Sequence, residues 1–269
     1  MILTKCAACA APLAHNAPRC VRCKLRYCNA TYALGWACWK TYVSRPLGEE
    51  GDTPRLAAMS VLGNGFGDHG IGNFHEAIAV YDALLDLMAR GYGKKLDELD
   101  VLSAKAACYG KLGHRDKSVI VRREIYSRYV AVLGFTAPQS LSSAHALALD
   151  LVNMAVLADG SQAEAKSFLR ETMPRATREL GPHDTMTLKF RWVYAYALTN
   201  DENPTLDDMK EAEATYVEIE KIFTRRFGPE HPETAGLHRE LATLRKRLAV
   251  YIRLGARDME EVRSKFASK

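Results

Sequence analysis

The sequence predicts an all-α protein built from repeated antiparallel helix pairs and preceded by a small zinc-binding finger. Three observations support this prediction. Glycines recur 47 residues apart, at Gly134, Gly181 and Gly228, and each precedes a similar helical segment. Apolar residues in these segments recur at three- and four-residue steps, and no segment sustains the alternation of a strand. Six of the seven cysteines lie in the first 38 residues.

Length and composition indicate a globular protein outside the membrane. The chain has 269 residues, 48% hydrophobic and 26% charged, which suits one or two domains with a real core. The longest apolar stretch, 144–158, is interrupted by Asp150 and Asn153 and falls short of the roughly 20 residues that cross a bilayer. The first 14 residues make a poor signal peptide because Lys5 breaks a short apolar stretch. We expect a cytoplasmic protein, with the nucleus as the alternative.

The positive charge is concentrated at the N-terminus. Residues 1–46 contain seven Lys or Arg and no Asp or Glu, so the net charge of +5 belongs to this segment. The rest of the chain has 30 basic and 32 acidic residues. The basic segment is the one feature that suggests nucleic acid, and the slightly negative body argues against a nucleic-acid-binding array of repeats.

The cysteine spacing at the N-terminus indicates a metal site. Cys6 and Cys9 form one Cys-x-x-Cys pair, Cys20 and Cys23 form a second, and Cys28 follows. Each pair can place two thiolates on one metal ion, and two pairs complete a tetrahedral zinc site. In the expected absence of a secretory signal, this spacing favours zinc over disulfides, and free thiols are the remaining alternative.

The segment 6–28, ending CVRCKLRYC, resembles the first half of a MYND-type zinc finger. That family binds two zinc ions and continues with a further Cys, a His and a final Cys. Here Tyr32 stands where the next Cys would be, and the final pair is missing. The resemblance therefore implies a truncated finger over 1–32 with one structural zinc. Its expected ligands are Cys6, Cys9, Cys20 and Cys23, with Cys28 as the substitute ligand. Residues 33–51 are predicted to form a connecting helix and linker.

The repeat is defined by three positions. Six residues after each glycine stands a hydroxyl residue, and fourteen residues after it stands an alanine. The same alanine position extends back to Ala106 and then to Gly65, which gives a period of 41 to 47 residues over four to five copies. We expect the glycines to be left-handed caps, the hydroxyls to be N-caps or first-turn residues, and the alanines to sit where two helices approach closely. The aligned sets are Ser140, Thr187 and Thr234, and Ala148, Ala195 and Ala242.

These positions predict helical hairpins over 53–91, 96–133, 140–180 and 185–227. A final helix from Pro232 to Arg253 is expected to cap the array, because a repeat array needs one apolar and one polar face at its end. Its inward residues are predicted to be Leu244, Leu248, Tyr251 and Ile252. The tail, 255–269, is expected to be a frayed helix or disordered.

The repeats resemble the tetratricopeptide (TPR) family, in the longer form found in kinesin light chains. The match is closest in FGPEHPET at 227–234 and in GNFHEAI at 72–78, and the resemblance covers 52–254. It implies a right-handed superhelical solenoid of antiparallel helix pairs, whose inner helices line a concave groove for partner segments. The order of a finger followed by such repeats is similar to that of algal zinc-finger/TPR proteins.

No catalytic motif is present in the sequence. It lacks a phosphate-binding loop of Walker type, His-Glu-x-x-His and Gly-x-Ser-x-Gly, so we expect no enzyme. The acidic pair Asp207-Asp208 is interpreted as solvated loop charge. The positions three residues before the repeated alanines are the candidate groove residues, and the TPR resemblance implies that they face a partner. They are Ser103, His145, Trp192 and Arg239.

The function that these features predict is a non-enzymatic interaction scaffold or adaptor, with a protein or peptide partner in the groove. Trp and Arg are the residue types that most often dominate interfaces, although Trp192 could equally belong to the core. The alternative is a nucleic-acid- or chromatin-associated regulatory factor that uses the basic finger.

Overall fold

The structure, a computed structural model, describes residues 60, 63–64, 73–90, 95–157 and 162–267. The predicted finger over 1–32, its five cysteines (Cys6, Cys9, Cys20, Cys23 and Cys28) and the predicted linker over 33–51 lie outside the described residues. Within the described ranges the chain is helical, with no β-strand and one isolated antiparallel bridge between Thr205 and Asp258. The predicted all-α class is confirmed.

Nine helices of more than one turn occur in the described ranges, and eight of them alternate along the chain between two kinds. They are α1 (Phe74–Ala89), α2 (Lys95–Lys111), α3 (Arg115–Leu133), α4 (Pro138–Leu157), α5 (Ala163–Leu180), α6 (Thr185–Thr199), α7 (Leu206–Phe227), α8 (Pro232–Leu254) and α9 (Met259–Ala267). We call α2, α4, α6 and α8 the A helices, and α1, α3, α5 and α7 the B helices. The A helices begin, and the B helices α3, α5 and α7 end, within two residues of the predicted hairpin bounds, and α8 ends one residue after its predicted end.

The described residues form two compact units, one ending at Ile125 and one beginning at Tyr126, with the boundary inside α3. In the first unit, a Cβ on Gly63 would lie 2.5 Å from Cε1 of Tyr81, so glycine lets that ring approach the backbone. The Tyr81 hydroxyl donates a hydrogen bond to Asn64 Oδ1 at 2.8 Å. Gly65, the predicted equivalent of the alanines, lies outside the described residues.

The second unit is held together by small residues where an A helix meets its B helix. Ala148 and Ala195 are completely buried on α4 and α6. Ala165 and Ala212 are buried at matching positions of α5 and α7, again 47 residues apart. Ala242 does not follow the prediction, since it is exposed on α8. The reason is that α8 has no following B helix to cover this position.

The helix ends follow the predicted residues but not all of the predicted geometry. Gly181 and Gly228 have φ values of 97° and 85°, yet their ψ values of 158° and 164° make them extended rather than left-handed helical. This region of backbone conformation is essentially restricted to glycine. The predicted hydroxyls occupy the third position of each A helix and are buried. The N-caps of α6 and α8 are instead Asp184 and His231.

The acidic pair at the start of α7 has a structural role that the sequence interpretation missed. Asp208 accepts a hydrogen bond from the Thr205 backbone N–H at 2.9 Å, and Thr205 Oγ1 accepts one from the Asp208 N–H at 3.0 Å. This reciprocal arrangement is a capping box, which satisfies two backbone donors at the helix start. Asp207 is solvent-exposed as expected, but it lies in the first turn of α7 and not in a loop.

The end of the chain differs from its prediction. Residues 259–267 form the helix α9, which packs on α8 with Val262 buried. The Lys265 ammonium donates to the carbonyls of Leu254 and Gly255, both at 3.0 Å, and so satisfies the end of α8. Ile252 was predicted to point inward but is 64% exposed, because it lies about 100° around the helix from the buried Tyr251.

Candidate partner-binding cleft

Three A helices of the second unit line a cleft of about 460 Å³. It is formed by α4, α6 and the first half of α8, and we call it the helix A cleft. Its apolar residues are Leu149, Trp192, Val193 and Pro232. Its polar residues are His145, Asn153, Lys189, Tyr196, Glu233 and Glu240. An apolar pocket with a few convergent polar groups is the usual form of a binding site.

Trp192 is half-buried and is held in place from two sides. Its ring meets Phe223 of α7 edge-on, with ring centroids 6.2 Å apart and an interplanar angle of 68°. On the other side, a Cβ on Gly236 of α8 would be 3.4 Å from Cη2 of the indole. Edge-to-face packing of this kind adds to the stabilisation that burial gives an aromatic ring. Trp192 therefore packs against the core with one part of its ring and lines the cleft with another.

An ion pair in the lining of the cleft joins α6 to α8. Lys189 Nζ lies 2.5 Å from Glu233 Oε1, and both side chains are about a quarter to a third exposed. The two charges compensate each other, so the pair contributes polarity without net charge. Glu233 also lies in the first turn of α8, where the helix dipole favours a carboxylate.

Burial makes His145 a neutral residue of the cleft at pH 7. Burial and, to a smaller extent, the nearby Lys189 charge together lower the pKa of the imidazole to about 4, against a weaker opposing effect of Glu233. The imidazole ring contacts Phe190, with centroids 6.3 Å apart. A neutral imidazole can donate one hydrogen bond and accept another, which suits the recognition of a peptide group.

The cleft includes two of the four predicted groove residues. His145 and Trp192 line it, one repeat apart. Arg239, the next equivalent, is exposed on α8, with its guanidinium near Gly236, which the Trp192 indole also approaches, and its neighbour Glu240 lines the cleft. Ser103 is half-buried on α2, within the first unit. The role of the four residues in partner binding stays a prediction.

The sequence analysis missed most of the other cleft residues, although the repeat register contains them. Leu149 and Tyr196 each follow a repeated alanine directly, and Asn153 lies five residues after one. Lys189 lies six residues before Ala195. These offsets of −6, −3, +1 and +5 from the alanine approximate one face of a helix. Extending the groove prediction along that face would have found them.

Metal-binding and membrane-spanning features are absent from the part of the chain that the structure describes. No group of His, Cys, Asp and Glu among the described residues could hold a metal ion. None of the helices described is both long and apolar enough to cross a membrane. Cys108 is a buried free thiol of α2, and burial raises its pKa, so it is a core residue without the character of a nucleophile.

Comparison with solved structures shows what fold the chain has. The nearly identical TPR-like repeats of a kinesin light chain homologue from Podosopora anserina superpose with a TM-score of 0.58 and 17% identity, covering 73% of this chain and 87% of that one. A single-substitution form of the same protein gives the same TM-score over 72% and 85%. BtubC (BKLC) from P. vanneervenii gives 0.48 and 12% identity, over 89% and 90%. No family model and no curated protein matches the chain.

The repeat fold of the described residues is therefore TPR-like, as the sequence predicted. Alternating A and B helices, buried small residues on them and a period of 42 to 47 residues among the described repeats agree with it. Because the identities are low, the likeness describes the fold.

Proposed function

We propose that the protein is a non-enzymatic interaction scaffold that binds a protein or peptide segment in the helix A cleft. The observation that supports this most strongly is the half-buried Trp192 in a cleft of about 460 Å³, with Leu149 37% exposed beside it. An apolar side chain of a partner would cover this surface. Backbone groups of the same segment would meet Asn153, Tyr196 and the neutral His145.

Affinity capture from the native cell tests this proposal. Wild-type protein and Trp192→Ala are used as baits, and the captured proteins are quantified. We expect the main partner to fall at least about tenfold with the variant, because truncation of a central aromatic anchor typically costs about 2 kcal/mol or more. Phe168→Ala is the control, since Phe168 is another half-buried aromatic, packed on Tyr126 away from the cleft. Equal loss with both variants would contradict the assignment of the cleft.

We also propose that the N-terminal segment forms a small finger with one structural zinc. The support is the spacing of Cys6, Cys9, Cys20 and Cys23, with Cys28 as the substitute ligand. The zinc would stabilise this segment and take no part in a reaction. The scaffold and the finger are separate proposals, and either can fail without the other.

The alternative function is a nucleic-acid- or chromatin-associated factor. It is favoured by the seven basic residues of segment 1–46, which has no acidic residue. A gel-shift titration with RNA and DNA at two salt concentrations tests it, because phosphate contacts weaken steeply with salt. Salt-dependent binding that disappears when residues 1–46 are deleted would support this alternative, and binding of protein partners by the remaining chain would support the scaffold.

A further inference from the structure

The charges of the helix A cleft do not balance. Among its described lining residues, Lys189 and Glu233 compensate each other at 2.5 Å, and His145 is neutral at pH 7. Glu240 of α8 is the remaining charged group. It is half-buried, and no hydrogen bond or ion pair joins its carboxylate to another described residue.

The surroundings of Glu240 compensate its charge only in part. Burial raises the pKa of its carboxyl, and the neighbouring Arg239, whose own side chain is exposed, offsets only part of this effect. Tyr196 faces the same carboxylate from α6, and burial, with a smaller contribution from the negative charge of Glu240, raises the pKa of that phenol. A half-buried carboxylate without a partner is costly, and a cation brought by a ligand would relieve that cost.

We propose that the segment bound in the helix A cleft is basic as well as apolar: an apolar side chain lies against Trp192, and a Lys or Arg of the same segment pairs with Glu240. This inference rests on the proposed scaffold function and names the chemistry of its partner. Trp192 of α6 and Glu240 of α8 line the same cleft, and the Lys189–Glu233 ion pair bridges these two helices. The apolar and the basic side chain therefore belong to one short segment of the partner.

Selection from a random peptide library tests this chemistry directly. A displayed library of nonapeptides is panned on the full-length wild type, on Glu240→Gln, on Glu240→Arg and on Trp192→Ala. Wild type should enrich peptides that combine an apolar residue with a Lys or Arg at a fixed spacing. Glu240→Gln should keep the apolar preference and lose the basic one, and Glu240→Arg should favour Asp or Glu at the same position. Glu230→Gln, at an exposed turn carboxylate, is the matched control and should select as wild type does.

One selected peptide is then measured against these variants at low and moderate salt. We expect Glu240→Gln to weaken its binding about fivefold at low salt, with a smaller ratio at higher salt because screening reduces the ion pair. Apolar peptides that depend on Trp192 but show no basic preference would overturn this inference and leave the scaffold function standing. If Trp192→Ala selects the same peptides as wild type, both this inference and the proposed scaffold function would be overturned. Circular dichroism of each variant verifies that it is folded.

Discussion

The buried alanines are the residues on which the repeat register depends. Ala195 is completely buried on α6, where a larger side chain would push the A and B helices of its repeat apart. We expect Ala195→Leu to lower the free energy of unfolding by roughly 1–3 kcal/mol through overpacking. Ala242→Leu is the matched control, since Ala242 holds the same repeat position on α8 but is exposed, and it should change stability by less than about 0.5 kcal/mol. Urea unfolding of both variants measures the difference, and equal effects would show that the register is wrong.

His145 should give the protein a pH-dependent stability. Its folded pKa of about 4 lies below the roughly 6.5 of an unfolded histidine, so between these values the unfolded state binds more protons. The free energy of unfolding should therefore fall as pH falls from about 6.5 towards 4. We expect this single residue to account for about 1–2 kcal/mol of the loss between pH 7.5 and pH 5.

The histidine effect is isolated by comparing variants. His145→Gln should show a smaller decrease in unfolding free energy from pH 7.5 to pH 5 than wild type. His183→Gln, which changes an exposed histidine in the turn before α6, should keep the wild-type decrease. Chemical unfolding at the two pH values provides the measurement. A wild-type decrease that is unchanged in His145→Gln would contradict the burial of a neutral imidazole.

At the scale of the element, the capping box of α7 is testable with two adjacent aspartates. Asp208 shares hydrogen bonds with Thr205, whereas Asp207 is exposed, and both sit in the first turn where the helix dipole favours a carboxylate. Asp208→Ala should therefore cost about 1 kcal/mol more than Asp207→Ala, because only the first removes a cap. Thermal unfolding of the two variants measures the difference in stability. Equal losses would mean that charge near the helix end, and not capping, is what stabilises α7.

The elements also show which features of the fold could be predicted from the sequence. Helix ends were predicted closely because glycine and the apolar periodicity are local signals. The capping box was missed because the sequence alone does not distinguish an aspartate that caps a helix from an aspartate in a solvated loop. The difference lies in the backbone conformation. Ala242 and Ile252 were misassigned because their exposure depends on which elements pack around α8, which the helical period alone does not contain.

At the scale of the whole molecule, the cleft was only half predictable. The repeat register placed His145 and Trp192 on a common surface, since equivalent residues of successive repeats face the same way. It did not find Glu240, which lines the cleft next to the predicted Arg239, because adjacent residues of a helix point about 100° apart. The compensation of Lys189 by Glu233 could not be predicted either, because it joins two helices 44 positions apart in sequence.

The proposed finger predicts a metal content for the whole chain. Purified protein should contain about one zinc ion, measured by elemental analysis. Because structural zinc supplies on the order of 10 kcal/mol to small fingers, chelation should unfold residues 1–30 and leave the far-UV circular dichroism nearly intact. Cys6→Ser combined with Cys20→Ser should lose the zinc, whereas Cys108→Ser, at the buried thiol of α2, should keep it. Two zinc ions would indicate a complete cross-braced finger, and none would contradict the zinc proposal.

The central claim is that a partner segment lies in the helix A cleft, and site-specific photo-crosslinking tests it most directly. A photoreactive benzoylphenylalanine is placed at the exposed Leu149 in the cleft and, in a second protein, at the exposed Ala214 on the B helix α7. Each is irradiated with the partner identified by affinity capture. The cleft position should crosslink the partner through an apolar segment, and the B-helix position should not. Crosslinking from position 214 without crosslinking from position 149 would contradict the account.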